Sequence, residues 1–126
     1  MPRSFDPGAL LGSSFTLHGG VRVRLRLART SDSALIRGLV ARVGTPAAEL
    51  ELARLVHFDP RLRVVICATA LIDSTETLIG VGAIDLGGSG EPELLIVDAE
   101  YSQALTELLT AALKGRATAA GGTRAA

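Results

Sequence analysis

Four carboxylates flank one short apolar run: Glu91 and Glu93 precede Leu94-Leu-Ile-Val97, and Asp98 and Glu100 follow it. A carboxylate at the mouth of a strand can take a proton from an attacking amine, directly or through one water, which makes Glu93 the candidate general base. The competing reading, a solvated acid at a strand entrance, is the ordinary place for Glu and applies equally to Glu91. The second pair of acids faces a different chemistry. Where a strand runs straight into a helix, successive N–H groups and about half a positive charge from the helix dipole can receive a phosphate. Here Ser102-Gln-Ala-Leu-Thr-Glu107 contains no glycine to let those N–H groups close around a pyrophosphate. Asp98 and Glu100 stabilise the start of a helix without ligand, and they repel an anion that would sit in the same place.

Other reactive residue types lack partners at useful spacing. A single cysteine, Cys67, excludes an internal disulfide and a cysteine-cluster zinc site, and points to a reduced, cytoplasmic setting. Its apolar neighbours, Val64-Val-Ile before it and Ala68 after it, make it a small hydrophobe with no basic residue to activate it. His18 lies in a Gly turn and His57 at a helix end, too isolated for a metal or a catalytic dyad. Arg22, Arg24 and Arg26 form a charged row that could grip an RNA backbone. A charge-protected strand face explains the row better, because aromatic residues for base stacking make up only 3% of the chain. Gly80-Val-Gly82 sits inside a strand with no helix opening behind it, so it marks a bulge or close packing rather than a dinucleotide fingerprint. Gly87-Gly-Ser-Gly90 lacks the Lys-Ser/Thr of a phosphate loop and reads as a turn.

These residues are carried by the elements of one domain, the size that 126 residues allow. Residues 1–15 are Gly-, Ser- and Pro-rich and form a poorly ordered lead-in, 16–113 make the folded unit, and 114–126 a flexible, solvated tail. Val21 to Ala28 alternates with period two, a strand covered on one face. Thr30 or Ser31 caps a helix with Leu35, Ile36, Leu39, Val40 and Val43 on one stripe, and Gly44 stops it. Thr45-Pro46 starts a second helix that ends at Phe58-Asp-Pro60. The runs Leu62–Leu71 and Thr77–Leu86, separated by Asp73-Ser-Thr-Glu76, form a hairpin. Leu94–Val97 is the next strand, and Tyr101, Leu105, Leu108, Leu109, Ala112 and Leu113 line one face of the last helix. The expected class is α+β, a mostly antiparallel sheet of about four strands with two helices after the first and one after the fourth. Lys plus Arg and Asp plus Glu both number 13, so no net field draws the chain to nucleic acid or to an anionic membrane, and no apolar run reaches the length of about 18 residues that spans a bilayer.

That order, with Leu17-His-Gly-Gly-Val-Arg-Val-Arg-Leu-Arg26, Ala28-Arg-Thr-Ser-Asp32, Asp59-Pro-Arg-Leu-Arg-Val-Val-Ile66, Leu78-Ile-Gly-Val-Gly-Ala83 and Glu93-Leu-Leu-Ile-Val-Asp-Ala-Glu-Tyr101, resembles the GNAT family of N-acetyltransferases. The resemblance covers residues 17–113, the N-terminal two-thirds of a GNAT-like fold. In that family the fourth strand parts from its neighbour, acyl-CoA lies in the gap, and a Gln/Arg-x-x-Gly-x-Gly/Ala loop opens the next helix. The resemblance therefore implies acetyl-CoA as cofactor and transfer of its acetyl group to an amine. It also implies Glu93 as the base, and Ile96, Val97, Gln103, Ala104, Leu105 and Thr106 as the residues standing where the cofactor is held. The chain departs from the pattern in two ways: the loop is shortened and glycine-free, and the strands that close the family's groove after this helix have no counterpart. Tyr101 lies before the loop and does not match the tyrosine that protonates the leaving thiolate. The expectation is a GNAT-like domain with acyl transfer weakened or lost. The alternative is a non-catalytic interaction module that pairs, as a homodimer or with another protein, through the open edge of Leu94–Val97.

Overall fold

Alternation of side chains sets the sheet. In a computed structural model that describes residues 14–17, 20–44 and 52–121, five antiparallel strands lie in sequence order. They are β1 (Ser14–Thr16), β2 (Arg22–Leu27), β3 (Arg63–Ile72), β4 (Thr75–Asp85) and β5 (Leu94–Val97). A 3-10 turn, Thr30–Asp32, leads into α1 (Ser33–Val43); residues 52–56 form α2; a second 3-10 turn, Ala99–Tyr101, leads into α3 (Ser102–Gly121). Thr45-Pro46, read as the start of the second helix, and His18 lie outside the described residues.

The sheet is sandwiched between helices, so both of its faces are apolar at its centre. Val64, Ile66 and Ala68 of β3 turn toward Leu105, Leu109, Ala112 and Leu113 of α3. Val65 and Cys67, one step out of phase, turn toward Ile36, Leu39 and Val40 of α1 and Leu55 of α2. At the β3–β4 hairpin, Asp73 and Ser74 adopt φ of 52° and 65°, the left-handed pair that joins two twisted strands tightly. Register slips between Ala68 and Thr69, which oppose Gly80 and Leu78 and leave Ile79 as the extra residue of a bulge. Ile79 and Gly80 then both face α3. A Cβ on Gly80 would come within 3.2–3.3 Å of Leu109, Leu105 and Val97, and one on Gly82 within 2.7 Å of Leu95 and 2.8 Å of Leu113. Both readings of Gly80-Val-Gly82, bulge and close packing, therefore hold.

Two boundaries differ from the sequence expectation. A fifth strand, β1, begins at Ser14, inside the stretch read as lead-in. It pairs with β2 from Ser14↔Arg24 to Thr16↔Arg22, closed by Leu17 N–H donating to Val21 O at 2.7 Å. Three residues are too few to show a period, which is why the strand escapes a pattern search. At the other end α3 runs on to Gly121 past Leu113, where the tail was expected. Ala is the strongest helix former, and Ala117 continues the buried side of α3 one turn beyond Leu113. No described helix is long and apolar enough to cross a membrane.

Candidate functional site

β5 positions both groups of acids, and the structure engages each. At its C-terminal end Asp98 is extended (φ −62°, ψ 131°) and caps the 3-10 turn: its Oδ1 accepts from Glu100 N–H at 3.1 Å. Neighbouring amides are also taken. Asp98 N–H donates to Ile79 O at 2.8 Å, Tyr101 N–H to Asp98 O at 3.0 Å, and Ser102 N–H to Ala99 O. Four backbone donors at this junction thus already have protein acceptors, one of them the carboxylate. Arg42 of α1 comes to 3.9 Å from Asp98 Oδ2 and donates to Leu78 O beside the bulge, so its charge is shared with protein groups.

Beside this junction a cavity of about 490 Å³ is lined by Leu17, Tyr101, Gln103, Ala104, Glu100 and Glu107, among others. Its charged lining residues are both acids. Desolvation first, then the charges of Glu100 and Asp98, push the Tyr101 phenol above its ordinary value. The donor set from Asp98 to Ser102 is thus poorly matched to a pyrophosphate: four of its amides are engaged, no glycine lies among them, and the charged residues lining the cavity are acids.

The residues expected around acyl-CoA fall on β5 and in the first turns of α3. Ile96 and Leu105 are core residues, 4% and 0% exposed. Val97 packs against the α3 side of the core, and Gln103, Ala104, Leu105 and Thr106 lie in the first turns of regular α-helix. β5 pairs with β4 from Leu94↔Ala83 to Val97↔Gly80, so no V-shaped opening separates these strands. Its other edge carries no strand among the described residues.

At the N-terminal end of β5, Glu93 Oε1 accepts from Arg63 Nη2 at 2.9 Å and from Arg54 Nη2 at 3.1 Å. Arg63 is 7% exposed and also holds Asp85 through Nε at 3.0 Å. Its Nη1 has no hydrogen-bond partner among the described residues. Glu93 thereby ties β5 to β3 and α2, a link the sequence hides because its partners lie 30 and 39 residues away. The pair to Arg63 is the anchor, since Arg54 is half exposed and solvent screens its contribution.

Elsewhere the reactive types are inert. Burial, reinforced by the Asp32 charge, pushes the Cys67 thiol up to about 12, far from a thiolate at neutral pH. Among the described residues no cluster of His, Cys, Asp and Glu could hold a metal ion. Arg26, expected on a wet strand face, instead forks onto Asp32 at 2.7 and 2.8 Å.

No protein-family model matches the chain, and no curated protein does. Among solved structures it is similar to the crystal structure of the GNAT domain of S. lividans PAT, with a TM-score of 0.56 and 19% sequence identity. The likeness covers 83% of this chain and 73% of that one. The fold is therefore GNAT-like, of the α+β class.

Proposed function

We propose that the chain is a GNAT-like N-acetyltransferase domain in which acetyl-CoA-dependent transfer to an amine is weak or lost; the alternative reading is a non-catalytic interaction module. One observation carries the reading: the amides of Asp98, Glu100, Tyr101 and Ser102 are engaged by protein acceptors at the entrance to Ser102–Glu107, where the family resemblance places the phosphate loop. Glu93, the expected base, is held between Arg54 and Arg63, a geometry that suits an anchor. A cytoplasmic setting belongs to the same proposal and is supported by the single, buried cysteine.

Thermal unfolding with and without acetyl-CoA tests it. A ligand present at 100 times its dissociation constant adds about 2.7 kcal/mol to a protein that binds it. The expected result is an unmoved transition even at millimolar acetyl-CoA. A dose-dependent rise would restore the enzyme reading and direct attention to Glu93.

A further inference from the structure

The two outer strands of the sheet differ in kind. β1 is three residues long, with Ser14 and Thr16 exposed, the polar and short form in which an edge is normally left. β5 is wholly apolar, lies between α1 and α3, and carries no charge, proline or bulge of its own. Such composition belongs to the inside of a sheet. Leu94, Leu95 and Val97 nevertheless remain only half-buried.

Register shows which backbone groups face outward. Asp98 N–H donates to Ile79 O, and antiparallel pairing alternates, so Ile96 and Leu94 direct their bonds to β4. Leu95 and Val97 point their N–H and C=O groups away from the sheet. We infer that this edge is the seam of a homodimer, in which β5 pairs antiparallel with β5 of a second copy about a two-fold axis through Ile96.

The pattern is its own complement. Centred on Ile96, each Leu95 faces Val97 of the second copy, and both residues of each pair have outward groups to exchange. Leu95 and Val97 also share the α3 face, so the same pairing covers their half-exposed side chains with apolar equivalents. The acids at the two ends of β5 have arginine partners within their own protomer, Glu93 with Arg63 and Arg54, Asp98 with Arg42. Two copies can therefore approach without bringing uncompensated charge together. With no net charge on the chain, no strongly charged partner is favoured over a second copy.

The inference rests on the non-catalytic reading, and the two can fail separately. Light scattering over a dilution series should show twice the 13.0 kDa chain mass at high concentration, while amide exchange is followed in the same samples. Leu95 and Val97 amides should be protected in the concentrated sample and lose protection on dilution. Those of Ile96 and Asp98, bonded within the chain, should stay protected throughout. Leu95→Pro removes only an outward donor, which an edge position tolerates; it should give a monomer with an unchanged circular dichroism spectrum. A strict monomer, a dimer whose Leu95 and Val97 amides exchange freely, or a folded Leu95→Pro that keeps the doubled mass would each overturn the seam. Should Leu95→Pro fail to fold, the wild-type exchange pattern decides. Acetyl-CoA stabilisation of the same samples would instead overturn the non-catalytic reading, whatever the mass.

Discussion

The β2–α1 and β5–α3 junctions share a plan: an extended residue, a three-residue 3-10 turn, then an α-helix. In the first, Asp32 stands at the end of the turn, 2% exposed, accepts Arg29 N–H at 2.7 Å and is gripped by both arms of Arg26. In the second, Asp98 stands before the turn with its side chain 30% exposed, accepts one amide at 3.1 Å and has a guanidinium no closer than 3.9 Å. The same residue type thus locks one junction through a buried, bidentate charge pair and merely fills the other. What separates them is the partner: Arg26 lies on the adjoining strand, fixed opposite Cys67, whereas Arg42 also serves Leu78 O. The carboxylate in the weakly held junction still occupies one backbone donor, that of Glu100.

Substitution should separate the junctions most clearly in stability. Asp32→Ala leaves Arg26 without its fork in a largely buried place and should cost about 3–5 kcal/mol, read from urea unfolding. The same pair predicts acid behaviour. Burial alone would raise the Asp32 carboxyl, but hydrogen bonds from Arg26 and Arg29 and the Arg26 charge bring it below the ordinary carboxylate range. Its contribution is therefore complete above the unfolded value of about 3.9 and is lost as pH falls through the lower folded value. Asp32→Asn should flatten that acid limb of the urea midpoint against pH.

A smaller effect tests what holds α3 when its junction is weak. Gly82→Ala sets a Cβ against Leu95 and Leu113 and should destabilise by about 1–3 kcal/mol. Asp98→Ala should cost about 1 kcal/mol, the worth of an ordinary helix cap. If Asp98→Ala proved as damaging as Asp32→Ala in the same urea titration, the contrast between the junctions would disappear.

Much of this was legible locally. The period-two run of β2, the β3–β4 hairpin and the buried stripe Leu105, Leu109, Ala112, Leu113 follow from spacing alone, as does the missing glycine after Val97. Asp98 as a cap also follows, because a cap bonds within two or three residues of itself. Relations across the sheet did not. Glu93 meets Arg63 and Arg54 only once β3, α2 and β5 are assembled, and no local pattern marks those arginines among many. Arg26 and Asp32 are six residues apart, yet strand alternation assigned Arg26 to solvent because it says nothing of a turn folding back over that face. β1 and the last turns of α3 depend on a single neighbour each, β2 and the sheet, and carry too short a pattern of their own.

The central proposal, that the junction from Asp98 to Thr106 offers no seat for a pyrophosphate, is tested most directly by titrating coenzyme A into isotope-labelled protein and following backbone amide resonances. The account predicts that resonances from Asp98 to Thr106 stay in place up to millimolar ligand. Saturable shifts concentrated in that span would contradict it.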